Sequence, residues 1–274
     1  MIKVENVSFK YEDEYVLKDL NFSVNEGEII AIVGKNGSGK STIGKLVSGI
    51  IKLKEGHIYI DDIDILNKKN IKLIRNKVGI VFQNPENQII FNNIYDELAF
   101  SIKDISQKEI EEKIENALSN VDMIKYKNHE LYTLSLGQKQ RIAIAETLVR
   151  NPKYIILDEP TSMIDSSGKH KIHEIIKKLK KSGYTMVCIT NLAEEILFAD
   201  RVLILDNGKI AHEIQKKDLL EKIDILKQYN IKEPTVLEIL YKLKENGIKL
   251  DIKDFTVDKL VETIKERIFN EKSN

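Results

Sequence analysis

The sequence holds a single cysteine, Cys188, in 274 residues, so it cannot form an internal disulfide. That cysteine lies in the apolar run Thr185-Met186-Val187-Cys188-Ile189, which predicts a buried strand residue and fits a reducing compartment. Net charge is missing as well, because 43 Lys and Arg balance 43 Asp and Glu. The balance argues against a broad nucleic-acid surface, and no nucleic-acid partner is expected. No apolar run approaches the ~20 residues that a membrane helix needs, so work at a membrane requires an embedded partner. Met1-Ile2-Lys3-Val4-Glu5 alternates like a strand rather than a signal peptide. There are no internal repeats and no low-complexity tract. What remains has ample apolar content for one large domain or two modest ones.

The most informative stretch is Gly34-Lys35-Asn36-Gly37-Ser38-Gly39-Lys40-Ser41-Thr42, which fits the phosphate-binding pattern G-x-x-x-x-G-K-[ST]. Glu28 to Val33 reads as a buried strand running into it, and Ser41 to Ile50 as a helix leaving it. A phosphate at that junction meets a row of backbone N–H donors and the positive end of a helix dipole. Gly34, Gly37 and Gly39 allow the close approach, and Asn36, Ser38 and Thr42 complete the loop. Lys40 is placed to reach the β- and γ-phosphates, and the Ser41 hydroxyl to ligate Mg²⁺.

Before this loop, Val4, Val7 and Phe9 mark one short strand, and Leu20, Phe22 and Val24 another. Tyr11 between them is either a base-stacking aromatic or a strand-end tyrosine packed on its own sheet. After it, Gly56 to Asp61 and Val78 to Phe82 read as strands. Gln83 leaves the second, either to meet Mg²⁺ or a catalytic water through its amide oxygen, or as a surface loop residue. Residues 84 to about 150 then read as helical. Ser106 and Glu109 form a capping box for a helix running to Val121, with Ile110, Ile114 and Leu118 on its apolar stripe. A second helix, Gln138 to Arg150, shows Ile142, Ala145, Leu148 and Val149. Ser135, Gly137 and Gln138 at its start are an anion site or an N-cap serine with a turn glycine.

Tyr154 to Asp158 is an apolar strand ending in Asp158-Glu159, the Walker B arrangement. Asp158 is placed to hold Mg²⁺ and Glu159 to polarise the attacking water. Residues 169 to 181 form a Lys-rich helix whose His170 and His173 are expected on a solvated face. Arg201 to Ile210 reads as a hairpin with an Asn-Gly turn. Toward the C-terminus, Val236, Ile239, Leu240 and Leu243 mark one amphipathic helix, stopped at Asn246-Gly247, and Val257, Leu260, Val261, Ile264 and Ile268 another. They read as a helical cap or as a docking surface.

In this order, Tyr11, the loop at 34–42, Gln83, Leu134-Ser135-Leu136-Gly137-Gln138, the strand at 154–159, Ser162-Met163-Ile164-Asp165 and Asn191 resemble the ATP-binding cassette (ABC) ATPases over residues 1 to about 220. Phe82-Gln83-Asn84-Pro85-Glu86-Asn87-Gln88 and the C-terminal stretches at 246–248 and 255–257 look like those of energy-coupling factor (ECF) transporter ATPases. The resemblance implies an α/β fold. A P-loop NTPase core would carry an antiparallel β subdomain, an inserted α-helical subdomain near 84–150 and a C-terminal helical extension. It implies a nucleotide-binding domain over 1–222 and an extension over 223–274. It further implies an ATPase using ATP and Mg²⁺ at the cytoplasmic face of the cell membrane to drive uptake of a vitamin or transition-metal ion. The implied partners are a second ABC ATPase subunit, a transmembrane coupling subunit and a substrate-binding membrane subunit. Glu159 is then the general base, and Ser135 and Gly137 contact the partner's γ-phosphate.

Two residues depart from the family pattern. Leu136 replaces the first glycine of Leu-Ser-Gly-Gly-Gln, and Asn191 replaces the switch histidine. Asn donates a neutral hydrogen bond but is shorter and carries no proton. The departures fall at different composite sites of a heterodimer and at every site of a homodimer, so a heterodimer is expected. Rival readings are a weak or regulatory ATP-binding subunit, an ATPase of another importer class, and a soluble ABC protein. The last commonly carries paired cassettes or coiled-coil insertions, which this chain lacks.

Overall fold

The computed structural model of the protein describes residues 1–102, 105–248, 250, 252 and 255–272, with side chains followed to residue 267. The chain opens on β1 (Ile2–Lys10) and β2 (Tyr15–Val24), paired antiparallel. Ile2, Val4, Val7 and Phe9 are buried on the first, and Leu17, Leu20, Phe22 and Val24 on the second. This is the two-residue period of a half-buried strand. The period slips between Val4 and Val7, where Asn6 takes a φ of 50° in a bulge.

The strand β3 (Ile29–Val33) is buried at every position and runs into the glycine-rich loop that starts α1 (Lys40–Val47). The predicted helix extends to Ile50. The observed one ends earlier because Gly49, at φ +69°, turns the chain away. Strands β4 (Glu55–Ile60) and β5 (Ile63–Asp64) complete a four-stranded antiparallel sheet of order β2-β1-β4-β5.

After α2 (Ile71–Lys77) and β6 (Val78–Val81) come α3 (Ile94–Phe100), α4 (Gln107–Asn120) and α5 (Leu136–Val149), with no strand between them among the described residues. The capping box predicted for α4 is present: Glu109 N donates to Ser106 Oγ, and Ser106 N donates to Glu109 Oε2. A second box caps α5, which begins two residues before the expected Gln138 because Ser135 supplies the cap.

The chain continues through β7 (Tyr154–Asp158), α6 (Ser166–Lys181), β8 (Thr185–Ile189), α7 (Ala193–Ile196), β9 (Arg201–Asp206) and β10 (Lys209–Gln215). The predicted hairpin turns at Asn207 and Gly208, with φ 48° and 78°, as a two-residue loop of this hand requires. The second sheet has the order β10-β9-β3-β8-β7-β6, with every pairing parallel except the β10 edge.

A parallel sheet is covered on both faces, and successive residues of β3 show it. Ile29, Ala31 and Val33 pack with the helical side, including Ile142 and Leu148 of α5 and Ile172 and Ile176 of α6. Ile30 and Ile32 pack with Ile43 and Leu46 of α1 and the apolar face of the antiparallel sheet. Cys188 is buried in β8 as expected, and burial pushes its thiol well above the usual range.

The helical side also buries residues of α8 (Ile223–Gln228), α9 (Thr235–Glu245) and α10 (Val257–Lys272). The predicted stripes are only partly right here. Leu237, not Ile239, is buried with Val236 and Leu240, and Leu260 is buried on α10 while Val257 and Val261 face out. The Ile268 side chain lies outside the described residues. His170 is exposed as predicted, but His173 is not on a solvated face. It borders the buried stripe of α6, with its ring edge on Phe198 at 4.9 Å and its Nε2 3.5 Å from Glu195. No helix among the described residues is long and apolar enough to cross a membrane.

Candidate functional site

The carboxyl ends of four neighbouring parallel strands deliver the predicted side chains to one edge. The glycine-rich loop follows β3, Gln83 follows β6, Asp158-Glu159 ends β7, and Asn191 follows β8. Ligands of open α/β sheets bind at this edge, where crossover directions change.

The loop wraps tightly. A Cβ at Gly34 would lie 2.1 Å from the Leu205 carbonyl oxygen, so only glycine fits there. Gly39, the N-cap of α1, has φ 103° and Val16 and Leu17 against it. Lys40 folds back into the loop, with Nζ donating to the carbonyls of Gly34 at 2.8 Å and Lys35 at 3.0 Å. Burial holds its pKa below the usual lysine value, against the attraction of Glu159 and Asp158. Ser38 Oγ is buried without a hydrogen-bond partner among the described residues. A cationic cradle with an orphaned hydroxyl fits a phosphate.

Ser41 Oγ donates to Asp158 Oδ1 at 2.8 Å. Burial raises the Asp158 carboxyl, opposed by that bond and by Lys45 and Lys40. The pair is a set of hard oxygen donors of the kind that suits Mg²⁺. Glu159 takes a left-handed φ of 48° at the bend leaving β7, a strained position for a non-glycine residue. Its Oε2 accepts from Gln83 Nε2 at 3.0 Å, and the same amide donates to Ser162 Oγ at 3.1 Å. Asn191 Nδ2 donates to Asn36 Oδ1 at 2.7 Å. The Tyr11 hydroxyl lies 3.3 Å from Thr42 Oγ1, while its ring is half exposed with an edge-on contact to Phe9. Tyr11, Asn36, Lys40, Ser41, Thr42, Gln83 and Glu159 line one cleft of about 440 Å³.

Ser135, Gly137 and Gln138 are not in that cleft. They line a second one, of about 400 Å³, with Lys125, Arg141, Asp165 and Lys171. The two clefts share no residue. Ser135 and Gln138 satisfy each other as a cap, and Gly137 lies close to Ile164 and Gly168 of the next segment. Val16 and Ser162 are the site neighbours that sequence reasoning missed. Ser162 belongs to the quoted stretch 162–165, but nothing in its type announced a bond to Gln83.

Known proteins resemble the chain that carries this site. The family model described as "ABC transporter" covers residues 17–162. The energy-coupling factor transporter ATP-binding protein EcfA1 of Fusobacterium nucleatum is 40% identical over 98% of this chain and 100% of its own length. The chain belongs to the energy-coupling factor ATPases of the ABC family. A solved structure of cbiO1 from Clostridium perfringens, described as part of the ABC transporter complex cbiONQ, superposes with a TM-score of 0.75. It is 32% identical, over 87% of this chain and 97% of that one. The ATP-binding cassette MJ0796, a dimer in a post-hydrolysis state with ADP and Pi, gives a TM-score of 0.70 at 33% identity, over 79% and 99%. The cassette described above is therefore an ATP-binding ATPase subunit of an ECF-type ABC transporter.

Proposed function

We propose that this ATPase drives uptake of a vitamin or transition-metal ion through membrane partners, working in a dimer of cassettes at the cytoplasmic face of the membrane. The observation that carries the dimer is the separation of the two clefts. Ser135 and Gly137 lie outside the cleft of the phosphate loop, which supports a complete site built from the loop of one cassette and the Leu134–Gln138 signature of another.

In that arrangement Tyr11 stacks on the base, and Gly34 to Thr42 hold the phosphates with backbone N–H groups. Lys40 exchanges its two carbonyl contacts for β- and γ-phosphate oxygens, and Ser38 Oγ finds its missing partner. Ser41, Asp158 and Gln83 would hold a Mg²⁺, whose chemistry is to neutralise charge on the phosphoryl oxygens. Glu159 takes the proton of the attacking water. Asn191 donates to the γ-phosphate, and Ser135, Gly137 and Gln138 reach the partner's nucleotide. Helices α8, α9 and α10 belong to the C-terminal extension of the nucleotide-binding domain, and α10 offers Val257 and Val261 for docking.

The alternative is a weak or regulatory ATP-binding subunit. Asn191 bonded to Asn36 and Leu136 in the signature favour it, whereas Glu159 held on Gln83 favours hydrolysis. Phosphate release by the complex purified with its membrane partners decides. Glu159→Gln lowers turnover on the order of 10² to 10⁴ if Glu159 is the base, while ATP still binds and dimers accumulate. Equal release by both proteins makes the chain regulatory.

A further inference from the structure

Glu146 is a carboxylate on a helix that is otherwise packed. Its neighbours Ala143, Ala145, Thr147 and Leu148 on α5 are all buried. Glu146 Oε2 accepts from Gln88 Nε2 at 2.8 Å, and Oε1 accepts from Ser101 Oγ at 3.3 Å. Ser101 caps the end of α3, and Gln88 closes the short turn that follows Gln83. Gln88 Oε1 in turn accepts from Phe82 N at 3.5 Å. The Phe82 carbonyl accepts from Gln140 Nε2, also on α5, at 3.0 Å. Phe82 immediately precedes Gln83, which donates to Glu159. Contacts therefore run from α5 through Gln88 and Phe82 to Gln83 and the candidate base. The N-terminus of the same helix carries the signature.

Two charged groups face Glu146. Glu97 on α3 is buried and accepts from the N–H groups of Ile90 at 2.9 Å and Phe91 at 2.6 Å. Arg150, at the end of α5, donates to the Arg75 carbonyl at 3.5 Å. Burial dominates at Glu146, with the Glu97 charge adding to it and the Gln88 bond, Arg150 and Ser101 opposing, and its carboxyl is pushed up to about 7.

We propose that Glu146 is a positioning residue that, through Gln88, ties the segment after Gln83 to α5 and so holds Gln83 against Glu159, most firmly when Glu146 is protonated. The neutral carboxyl keeps every contact, since its carbonyl oxygen accepts from Gln88 and its hydroxyl donates to Ser101 Oγ. The sign follows from linkage. Opening the segment hydrates the buried carboxyl, and burial outweighs the Gln88 and Ser101 bonds, which by themselves favour the charged form, so acid favours the latch and rising pH through about 7 loosens it. Glutamine at position 146 imitates the neutral carboxyl at every pH. Leucine removes the acceptor and leaves the Gln88 amide stranded.

The inference rests on the role proposed above for Gln83. The test measures ATP turnover of wild type, Glu146→Gln and Glu146→Leu in the assembled transporter, together with hydrogen exchange of amides 82–92 in the full chain. At about pH 6.5 wild type and Glu146→Gln turn over alike, and at about pH 8.5 Glu146→Gln is roughly threefold faster or more, with KM for ATP unchanged. Exchange at about pH 8 is slowest in Glu146→Gln and fastest in Glu146→Leu. Ionisation of ATP is common to all three proteins, so only their difference counts. Parallel pH profiles for wild type and Glu146→Gln, or equal exchange in all three, overturn the proposal. If the leucine variant fails to fold, the glutamine variant still decides. Unchanged turnover in Gln83→Ala overturns the Gln83 role alone, and exchange then decides the latch.

Discussion

Asn191 Nδ2 donates to Asn36 Oδ1 at 2.7 Å, joining the end of β8 to the phosphate loop across 155 residues. The amide proposed above as a donor to the γ-phosphate is thus already engaged by a neutral side chain. A histidine there is longer and can carry a proton. Replacing a donor at developing charge is worth up to about 10² to 10³ in rate. Asn191→His is expected to raise steady-state phosphate release severalfold at saturating ATP. Unchanged release would mean that this position does not limit turnover.

Gly34 is the tightest point of the loop. A Cβ there would lie 2.1 Å from Leu205 O and 3.1 Å from Ser38 Oγ, and the first of these is backbone that cannot swing aside. Gly34→Ala must push β9 away from the loop. The expected result is loss of nucleotide binding in an equilibrium titration, with a stability loss of about 1–3 kcal/mol from overpacking. Gly27, where an added Cβ meets nothing within 4 Å but φ is +74°, is the control: Gly27→Ala destabilises and leaves binding intact.

The sequence makes the loop, the Walker B strand and the Ser106–Glu109 capping box legible, because each rests on local chemistry: glycine backbone, apolar runs, a serine with a reciprocal side chain. What it hides is anything decided by a partner far along the chain. The apolar stripe predicted on α5 omits Gln140, Arg141, Ala143, Ile144 and Thr147, which are also buried. A helix packed against β6, α3, α4 and α6 has no single wet face, so its period fades. His173 fails for the same reason. Lys171 and Glu174 near it are polar, and Phe198 and Glu195, which cover it, come from the other side of β8 in sequence. Asn36 is legible as part of the phosphate loop, yet its bond to Asn191 is not.

Thr161 and Glu195 are buried close to Walker B, with the partly buried His173 beside Glu195. Thr161 Oγ1 donates to Glu195 Oε1 at 2.5 Å, and the other carboxylate oxygen has no partner among the described residues. Thr161→Val strips the carboxylate of its hydrogen bond and leaves His173 Nε2 at 3.5 Å as its near neighbour. Losing that bond and leaving the buried acceptor oxygen unsatisfied costs about 1–3 kcal/mol. Glu195→Gln keeps an acceptor oxygen for Thr161, so it costs less. Denaturant unfolding of the two variants checks the order, and equal losses would count against the Thr161 hydrogen bond as the stabilising contact.

Glu146 makes the last prediction, and it concerns stability rather than turnover. Its folded pKa of about 7 lies above the ordinary value of 4.5, so the stability that its protonated form contributes is complete below about 4.5 and lost as pH rises through about 7. The full loss is at most on the order of 3 kcal/mol. Glu146→Gln is therefore expected to melt above wild type at about pH 8 and together with it at about pH 4.5. Other carboxylates titrate over the same range in both proteins, so the diagnostic quantity is the difference between the two curves. A constant offset across pH would place the effect in packing instead of charge. A gap that opens between about pH 4.5 and pH 7 and then stays constant would mean that the cassette sacrifices stability to keep an ionisable group behind Gln83.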